Sequence, residues 1–452
     1  MRHILLRTAR AMAGVLAVLL VPVGGAAVSA GSTFAAPYAP GPDRPVPVAA
    51  PIPHDPARPT AVVVVGDLGA EVSDVLAPYE VLAATGRFNV YTVAPQRRPV
   101  TLTGGLDLVP DLTFDDLATR LGGAAPDVVV VPALPDVGEP TTAPVTGWLR
   151  AQAGDGALLL SVCNGSGVLA SAGLLDGRRA TAHWMRIGAF ESRHPLVQWA
   201  RGERVVDDGD VVTTAGILSG VAGALHVVER LAGPAVAAEA AVAVGWQPGR
   251  ADAPVTTGPA VPDPVAIVNA GYRWDPTDIG VLLTDGVGEI ELASVFDGYG
   301  GQSLTARTQG LGVDGGPVRS RHGLTFLPRA ALTDAAAGLD RLLVPGLGAS
   351  AARAIAPPRG GPAPEYVHDR PGFAFDAVLV DLARSTDVAT ARWTAKALEL
   401  PTDGLVLDGP AWPWAPTALP LALVLLGAAA VVAIGRRRAG SGSAPSRPGV
   451  PR

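Results

Sequence analysis

The sequence is poor in cysteine and in charged residues, and each shortage limits what the protein can be. Cys163 is the single cysteine among 452 residues, which excludes an intrachain disulfide and leaves a thiol that is either reactive or sheltered. Charged residues make up only 17% of the chain, and its net charge is −6. This acidic balance argues against nucleic-acid binding, so we predict no nucleic-acid partner.

The sequence also lacks the residue spacing of a metal site. Histidine, cysteine and carboxylate residues nowhere show the spacing of a metal site, so we predict no bound metal and no cofactor. Hydrophobic residues, in contrast, make up 48% of the chain, which also contains 55 glycines and 43 prolines. This composition is typical of globular domains with many turns, accompanied by membrane segments, and the length predicts more than one domain.

The amino terminus has the three-part layout of a secretory signal peptide. Three arginines within the first ten residues precede an apolar stretch over residues 11–23, and small residues follow up to Val28-Ser29-Ala30. We predict a signal peptide over residues 1–30, with an uncleaved anchor as the alternative, and both place the following chain outside the cytoplasm. Residues 31–60 are rich in proline and alanine, which predicts an extended linker.

The carboxyl terminus predicts a membrane anchor. Trp412 and Trp414 precede an apolar span over residues 415–435, and three arginines follow. The span is about 20 residues long, enough to cross a bilayer. Tryptophans suit the outer interface and arginines the cytoplasmic face, so we predict a transmembrane helix after a juxtamembrane segment at 401–414, and a cytoplasmic tail at 436–452. A buried core helix is the alternative. The expected location is the cell membrane, single-pass, with the domains outside.

Residues 61–248 are predicted to form one α/β domain. Residues 61–65 are a continuous apolar run, as expected of a strand buried on both faces of a parallel sheet, and residues 127–131, in which four valines follow Asp127, predict another buried strand. A helical pattern over residues 72–84 separates the first run from a further strand at 89–94. Alternating strands and helices of these lengths predict a doubly wound, mainly parallel sheet.

Cys163 lies in the stretch around which this domain is organised. An apolar run at 157–160 leads to Cys163, small residues follow at 164–167, and a helical apolar pattern comes next. This order predicts a strand, a sharp turn and a helix, an arrangement that presents a nucleophile at the carboxyl end of a strand. Partial positive charge at the helix amino terminus predicts a lowered thiol pKa. The alternative is a small buried cysteine without chemistry.

An ordered series of motifs extends this stretch and carries a family resemblance. These are Ser161-Val162-Cys163-Asn164-Gly165, Leu169-Ala170-Ser171-Ala172-Gly173-Leu174-Leu175, Asp176-Gly177-Arg178-Arg179 and Ala180-Thr181-Ala182-His183-Trp184. The series resembles the ThiJ/PfpI superfamily of the class I glutamine amidotransferase-like fold. It is most similar to isonitrile hydratases and to the sensor domain of AraC-type regulators. The resemblance implies an α/β fold of the flavodoxin-like amidotransferase type.

The resemblance also implies candidate catalytic residues. In the families that this chain resembles, an acidic residue at the position of Asp74 touches the cysteine and shares a proton with its sulfur, and Glu71 is a weaker candidate for that role. The alternative for Asp74 is an ordinary acidic residue at a helix amino terminus. His183 resembles a histidine that lies near the cysteine in many members, where it serves as base or orienter. Its alternative is a structural histidine packed beside Trp184.

The resemblance further implies an oxyanion hole formed by backbone N–H groups. That of Asn164 is one candidate donor, and that of Ala133 or Leu134 is the other. Relatives usually carry glycines where this chain has Pro132, Ala133 and Leu134, and a threonine or serine where it has Asn164. These departures weaken the case for hydrolysis.

An internal repeat follows the first domain. Residues 249–264 are rich in proline, alanine and glycine and predict a linker. Residues 280–286, 289–297 and 339–345 then repeat the first strand, the first helix and a later strand. No second cysteine motif follows, so residues 265–400 are predicted to be a degenerate, incomplete second copy of the domain, with a structural or interface role.

Two functions remain open at this point. The first is a cysteine-dependent lyase, hydratase or hydrolase that acts on a small polar molecule outside the cell. The second is a non-catalytic binding or sensing module, derived from the regulator sensor domain, in which the Cys163 pocket holds a small-molecule ligand. A homodimer is a candidate assembly for either.

Overall fold

The computed structural model describes residues 2–47, 52–247, 249 and 263–440. Within these ranges the chain forms two α/β halves that pack against each other, the first over residues 60–243 and the second over residues 264–397. A long apolar helix stands at either end.

The following elements form the amino-terminal helix and the first half. The helices are α1 (Arg2–Ala35), α2 (Val72–Ala84), α3 (Phe114–Arg120), α4 (Ala143–Gly154), α5 (Gly165–Ser171), α6 (Ile187–Arg193), α7 (Ser219–Ala232) and α8 (Pro234–Ala243). The strands are β1 (Thr60–Val64), β2 (Asn89–Ala94), β3 (Val100–Leu102), β4 (Leu106–Val109), β5 (Leu112–Thr113), β6 (Val128–Val131), β7 (Leu158–Ser161), β8 (Arg179–Ala180), β9 (Gln198–Trp199), β10 (Val205–Asp207) and β11 (Val211–Thr214).

The first half is built on a seven-stranded sheet in the order β10-β11-β7-β6-β1-β2-β5. All neighbouring strands are parallel except β10, which is antiparallel to β11. Every residue of β1, β6 and β7 is buried, because helices cover both faces of the sheet. The predicted α/β fold with a mainly parallel sheet is confirmed.

The following elements form the second half and the carboxyl-terminal helix. The helices are α9 (Pro264–Tyr272), α10 (Glu289–Val295), α11 (Leu332–Ala335), α12 (Leu347–Ala352), α13 (Ala374–Ser385), α14 (Val388–Ala397) and α15 (Trp414–Gly440), and a π-helical segment spans Phe296–Gln302. The strands are β12 (Thr277–Leu282), β13 (Ala306–Gly312), β14 (Val318–Arg319), β15 (Thr325–Leu327), β16 (Ala330–Ala331), β17 (Arg341–Val344) and β18 (Pro364–Tyr366).

The second half contains a five-stranded parallel sheet in the order β18-β17-β12-β13-β16. This order corresponds strand for strand to β7-β6-β1-β2-β5 of the first half, and the intervening helices and hairpins follow the same sequence. After β18 the chain turns into α13, and none of the described residues forms a counterpart of the turn at Cys163.

The two halves share one hydrophobic core and one small sheet. The antiparallel sheet β14-β15-β4-β3 takes two strands from each half, and a single cluster of buried apolar side chains includes members of both. Helix α2 packs on α10, and two side chains of α2 bind the amino terminus of α10 and the π-helical segment that follows it. The Glu80 carboxylate accepts a hydrogen bond from the Ile290 N–H at 2.5 Å, and Ser73 Oγ donates to the Asp297 carboxylate at 2.6 Å.

The two terminal helices differ partly from the sequence prediction. Segments Val18–Tyr38 and Trp414–Ile434 are each long and apolar enough to cross a membrane. Helix α1 continues to Ala35 and a 3-10 turn spans Ala36–Tyr38, so the linker predicted at residues 31–60 is wrong for its first eight residues. These residues stay ordered because they pack against α9. Most of the linker predicted at 249–264 lies outside the described residues.

We predict that Phe326→Ala destabilises the whole molecule. Phe326 is fully buried in β15 and pairs with Leu108 of β4, so its truncation leaves a cavity in the core that joins the halves. The expected loss is about 3–5 kcal/mol in the free energy of unfolding. Urea denaturation of the full chain in detergent measures it. Val313→Ala, at an exposed position, should change stability by less than about 0.5 kcal/mol. Two separate transitions, with the first half unaffected, would contradict the shared core.

Candidate functional site

Cys163 lies in the sharp turn between β7 and α5. Its φ angle is +56°, a left-handed conformation that is uncommon for residues other than glycine and recurs at functional sites. The turn runs so close to β6 that a Cβ on Gly165 would lie 2.0 Å from the Val131 carbonyl oxygen. Ser166 Oγ lies 2.8 Å from Ser161 Oγ and donates to the Thr181 carbonyl. Glycine at 165 and this buried hydroxyl pair hold the strained turn in place.

The surroundings of Cys163 raise the pKa of its thiol. Burial is the largest cause, because it removes water from the thiolate, and the negative charges of Asp74 and Glu71 act in the same direction. Only the backbone N–H of Asn164 favours the thiolate. The lowered pKa predicted from the helix amino terminus is therefore wrong in direction, because desolvation outweighs the contribution of a helix of seven residues.

Asp74, in the first turn of α2, lies beside this thiol. Its Oδ2 accepts a hydrogen bond from the Ala133 N–H at 2.9 Å, whereas its buried Oδ1 has no hydrogen-bond partner among the described residues. Burial raises the pKa of Asp74 to about 8, against the stabilising effect of the Ala133 N–H. At neutral pH the carboxyl group thus keeps a proton, as the family resemblance implies.

A second pair of carboxyl groups lies next to Asp74. Glu71 caps α2 by accepting from the Asp74 N–H at 2.7 Å, and its side chain is hydrogen-bonded to Asp297 of the second half. Burial raises the pKa of both carboxyl groups. Gln302 donates to Asp297 at 2.9 Å. The sequence predicted Glu71 as a weaker candidate than Asp74. It gave no signal for Asp297, because no local pattern shows that this distant residue contacts Glu71.

His183 lines the same cavity as Cys163 but has other partners. Its Nε2 donates to the Ala397 carbonyl at 2.9 Å, and its Nδ1 accepts from the Met185 N–H at 3.3 Å. Burial lowers the pKa of the imidazole, which is consistent with this neutral tautomer. Because both ring nitrogens are occupied, the arrangement fits the structural alternative, a histidine packed beside Trp184 at a ring distance of 5.4 Å.

The predicted oxyanion hole is only partly available. The Ala133 N–H donates to Asp74 and is not free to bind a ligand oxygen, so the interpretation of Ala133 as a donor needs correction. The reason is the short loop after β6, which brings this N–H to α2. Asn164 borders the cavity, and its side-chain Oδ1 has no partner in the described part of the chain. Leu134 is buried, and its side chain packs near Gly66.

A cavity of about 740 Å³ opens over Cys163. Its walls are mostly apolar and come from both halves and from the amino-terminal segment. The aromatic lining residues are Phe34, Tyr38, Trp184, Tyr272 and Trp393. Burial and the nearby charges of Glu71 and Asp74 raise the pKa of the Tyr38 hydroxyl. Tyr38 belongs to the segment that the sequence predicted as a linker, so its composition gave no signal of a role in the site.

One cluster in the described ranges has metal-ligand character. Glu80, Glu289 and His322 bring ligand atoms within 4.8 Å of one another at the contact between the halves. Their atoms already have protein partners, since Glu80 pairs with Arg321 at 2.9 Å and Glu289 with His322 at 2.8 Å. A guanidinium beside the carboxylates opposes a cation, so this cluster is a hydrogen-bonded network.

We predict that Asp74 makes stability fall with rising pH. Its folded pKa of about 8 exceeds the unfolded value, so its contribution is complete below about pH 4 and is lost as the pH rises through 8. The loss is at most about 1.4 kcal/mol per pH unit. Asp74→Asn should flatten the profile of unfolding free energy against pH, leaving the slope from Glu80, whose pKa is raised to about 7. Exposed Asp115→Asn should keep the wild-type profile. An unchanged slope in Asp74→Asn would contradict the protonated carboxyl.

Comparisons with known proteins place this site in a family. The profile of the DJ-1/PfpI family matches residues 59–230. The chain is 38% identical over 162 residues to an isonitrile hydratase of Pseudomonas putida, covering 35% of this chain and 67% of that protein. It is 30% identical over 181 residues to the HTH-type transcriptional regulator CdhR of Pseudomonas aeruginosa, covering 38% of this chain and 50% of the regulator.

Two solved structures to which the chain is similar have lower sequence identity. A ThiJ/PfpI family protein from Pseudomonas syringae is 24% identical, with a TM-score of 0.37 over 47% of this chain and 81% of that chain. An AraC family transcriptional regulator from Pseudomonas putida is 20% identical, with a TM-score of 0.35 over 40% of this chain and 97% of that chain. By its sequence, the chain belongs to the DJ-1/PfpI family.

Proposed function

We propose that this protein is a membrane-anchored, extracytoplasmic member of its family whose Cys163 pocket acts on a small molecule. One observation carries the proposal: the strained Cys163 lies at the base of a mostly apolar cavity, and the buried carboxyl group of Asp74, which keeps its proton, lies beside the cysteine beneath the cavity lining. A thiol and a proton donor in a water-poor site are the two groups needed to add to a polar multiple bond.

The chemistry that we propose balances without a cofactor. Cys163 Sγ forms a bond to an electrophilic carbon and one π bond of the ligand breaks. Asp74 passes its proton to the ligand and regains one from the thiol. Water then replaces the sulfur and restores the cysteine. Because one relative is an isonitrile hydratase, a compound with a carbon–nitrogen multiple bond is the first candidate substrate class.

Two observations favour a second candidate, a non-catalytic binding module. The raised pKa of Cys163 keeps its thiol protonated, and the Ala133 N–H is engaged by Asp74. Both reduce the power to activate and stabilise a reacting group. The similarity to a transcriptional regulator supports a sensing role for such a pocket.

The membrane anchor is supported by the surfaces of α1 and α15. The large apolar side chains of both helices are mostly exposed. In the apolar segments Val18–Tyr38 and Trp414–Ile434, only 6% and 0% of the residues are buried inside the protein. Such surfaces are unfavourable in water and suit a bilayer. The flanking arginines favour the cytoplasmic side for the helix ends that carry them, which supports a location of the two halves outside.

The second half is proposed to be a degenerate copy of the first. Besides the common strand order, it has a related hydrogen bond: Glu291 Oε1 accepts from the Leu347 N–H at 2.8 Å, one residue further along the loop than Ala133, whose N–H binds Asp74. Glu291 and Asp74 occupy the same position of the repeated helix. The copy has no cysteine, so its role is to complete the first site.

An aliphatic isonitrile tests the proposed chemistry. We expect the full chain to convert it to the formamide, and we expect Cys163→Ala and Asp74→Asn each to reduce turnover at least 100-fold, since each removes one reacting group. Glu291→Gln, the matched change in the second half, should retain turnover. Product formation is measured by chromatography.

The same experiment separates the two candidates. Protection of Cys163 from alkylation by the isonitrile, without product, would favour the binding module. Neither turnover nor protection would contradict this ligand class for both candidates.

The proposed topology predicts the pattern of proteolysis. Protease added to intact spheroplasts should digest both halves and leave fragments containing α1 or α15, because only the helices and the tail are shielded. Immunoblots against tags at each terminus measure the fragments, with a cytoplasmic protein as control. Full protection of both halves would overturn the extracytoplasmic placement.

A further inference from the structure

We propose that the Cys163 cavity receives an uncharged, single-chain amphiphile from the membrane, with a small polar head at Cys163 and an apolar chain along the cavity wall formed by α1 and α9. The inference rests on the proposed function, since it needs both the membrane anchor and a cysteine pocket that binds a ligand. It adds the class of ligand and the route by which the ligand arrives.

Several polar groups of the cavity lie around Cys163. Glu71, Thr103 and Asn164 line the cavity together with the thiol, and Thr103 Oγ1 donates to Glu71 at 3.2 Å. Glu71 is in turn linked to the buried carboxyl group of Asp297. Arg186 is the one cation among the described lining residues and it is exposed, so a carboxylate or phosphate head would meet these acidic groups without a buried cation to pair with. The site therefore selects a head that carries no negative charge.

The opposite wall of the cavity is formed by small residues of α1 and α9. Ala26 and Ala30 of α1 and Ala270 and Gly271 of α9 line it. The helices approach closely, because a Cβ on Gly271 would lie 3.2 Å from that of Ala26, and Ser29 Oγ donates to the Ala270 carbonyl at 3.0 Å. Small side chains leave room for an apolar chain beside a helix that also faces the bilayer.

The outer face of α1 continues this wall into the proposed membrane. Val23 and Val28 are 62% and 76% exposed, and Leu425 on α15 is 70% exposed. Gly427 of α15 lies against Val18 of α1, so the two apolar helices run side by side. One helix thus has a cavity-facing side and a lipid-facing side, and a chain in the cavity would need no passage through water.

A tryptophan cluster fixes the depth of the cavity relative to α15. Trp184 and Trp393 line the cavity, with ring centroids 6.2 Å apart. Trp412 packs against the same cluster and donates to Thr417 Oγ1 in the first turns of α15 at 2.7 Å. Because tryptophan favours the membrane–water interface, the cavity lies at the level where an amphiphile presents its head.

Maleimides of increasing chain length test the proposal, because the chain has a single thiol. The full chain is placed in lipid vesicles, and the rates at which N-ethyl-, N-octyl- and N-dodecylmaleimide modify Cys163 are measured by intact mass. The double variant Cys163→Ala/Leu425→Cys carries its single thiol on the exposed face of α15 and serves as the reference. It measures how much a longer probe chain raises the modification rate through partition into lipid alone. Between the ethyl and dodecyl probes, we expect the modification rate of Cys163 to rise by a factor at least ten times larger than the factor for the reference cysteine at position 425. The charge of the head is tested with iodoacetamide and iodoacetate. The ratio of the iodoacetamide rate to the iodoacetate rate should be at least ten times larger for Cys163 than for the reference cysteine.

Two variants of α1 test where the apolar chain of the ligand lies. Ala30→Trp fills the proposed channel and should remove the extra gain, whereas Val28→Trp on the outer face should keep it. Equal gains for Cys163 and the reference would overturn the amphiphile while leaving a reactive pocket. A Cys163 that reacts with none of the probes would overturn the proposed function as well. An intact mass showing that residues 1–30 are removed would also overturn the proposal, since the α1 wall would be lost.

Discussion

Desolvation is the constraint on which the rest of the site depends. Cys163, Asp74, Glu71 and Asp297 are ionisable side chains within one buried region, and burial is the largest cause of the raised pKa of each. Removing water disfavours every charged form at once, so the pKa of each of these groups is raised, that of Asp74 to about 8. Both the proposed proton transfer and the preference for an uncharged ligand follow from this single condition.

The second half maintains that condition although it has no cysteine of its own. It supplies Asp297 to Glu71 and the Ala397 carbonyl to His183. It also supplies Glu399, which accepts hydrogen bonds from the Gly216 N–H at 2.5 Å and from Ser219 Oγ at 2.7 Å. Each contact satisfies a buried polar group of the first half. The second half therefore contributes to the site, because its groups satisfy polar atoms that are buried from water.

The sequence was most informative where the signal was local. Continuous valine runs predicted buried parallel strands, and the order around Cys163 predicted the strand, turn and helix, because each depends on neighbouring residues. The position of Asp74 followed from the family resemblance. The sequence could not predict Asp297 or Tyr38, which reach the site from distant segments, nor the capture of the Ala133 N–H by Asp74. The direction of the Cys163 pKa depends on total burial, and no local motif reports that quantity.

The small residues of the amino-terminal helix fit two different roles, a signal-peptide cleavage site and close packing against α9. Small residues before position 31 are typical of a signal-peptide cleavage site, and small residues are also what allows α1 to lie against Gly271 of α9. Where α1 is retained, it closes the cavity and keeps the thiol dry. Its removal would open the wall at Ala26 and Ala30, admit water and bring the pKa of Cys163 down. The reactivity of the cysteine and the fate of the amino terminus are thus coupled through the same desolvation.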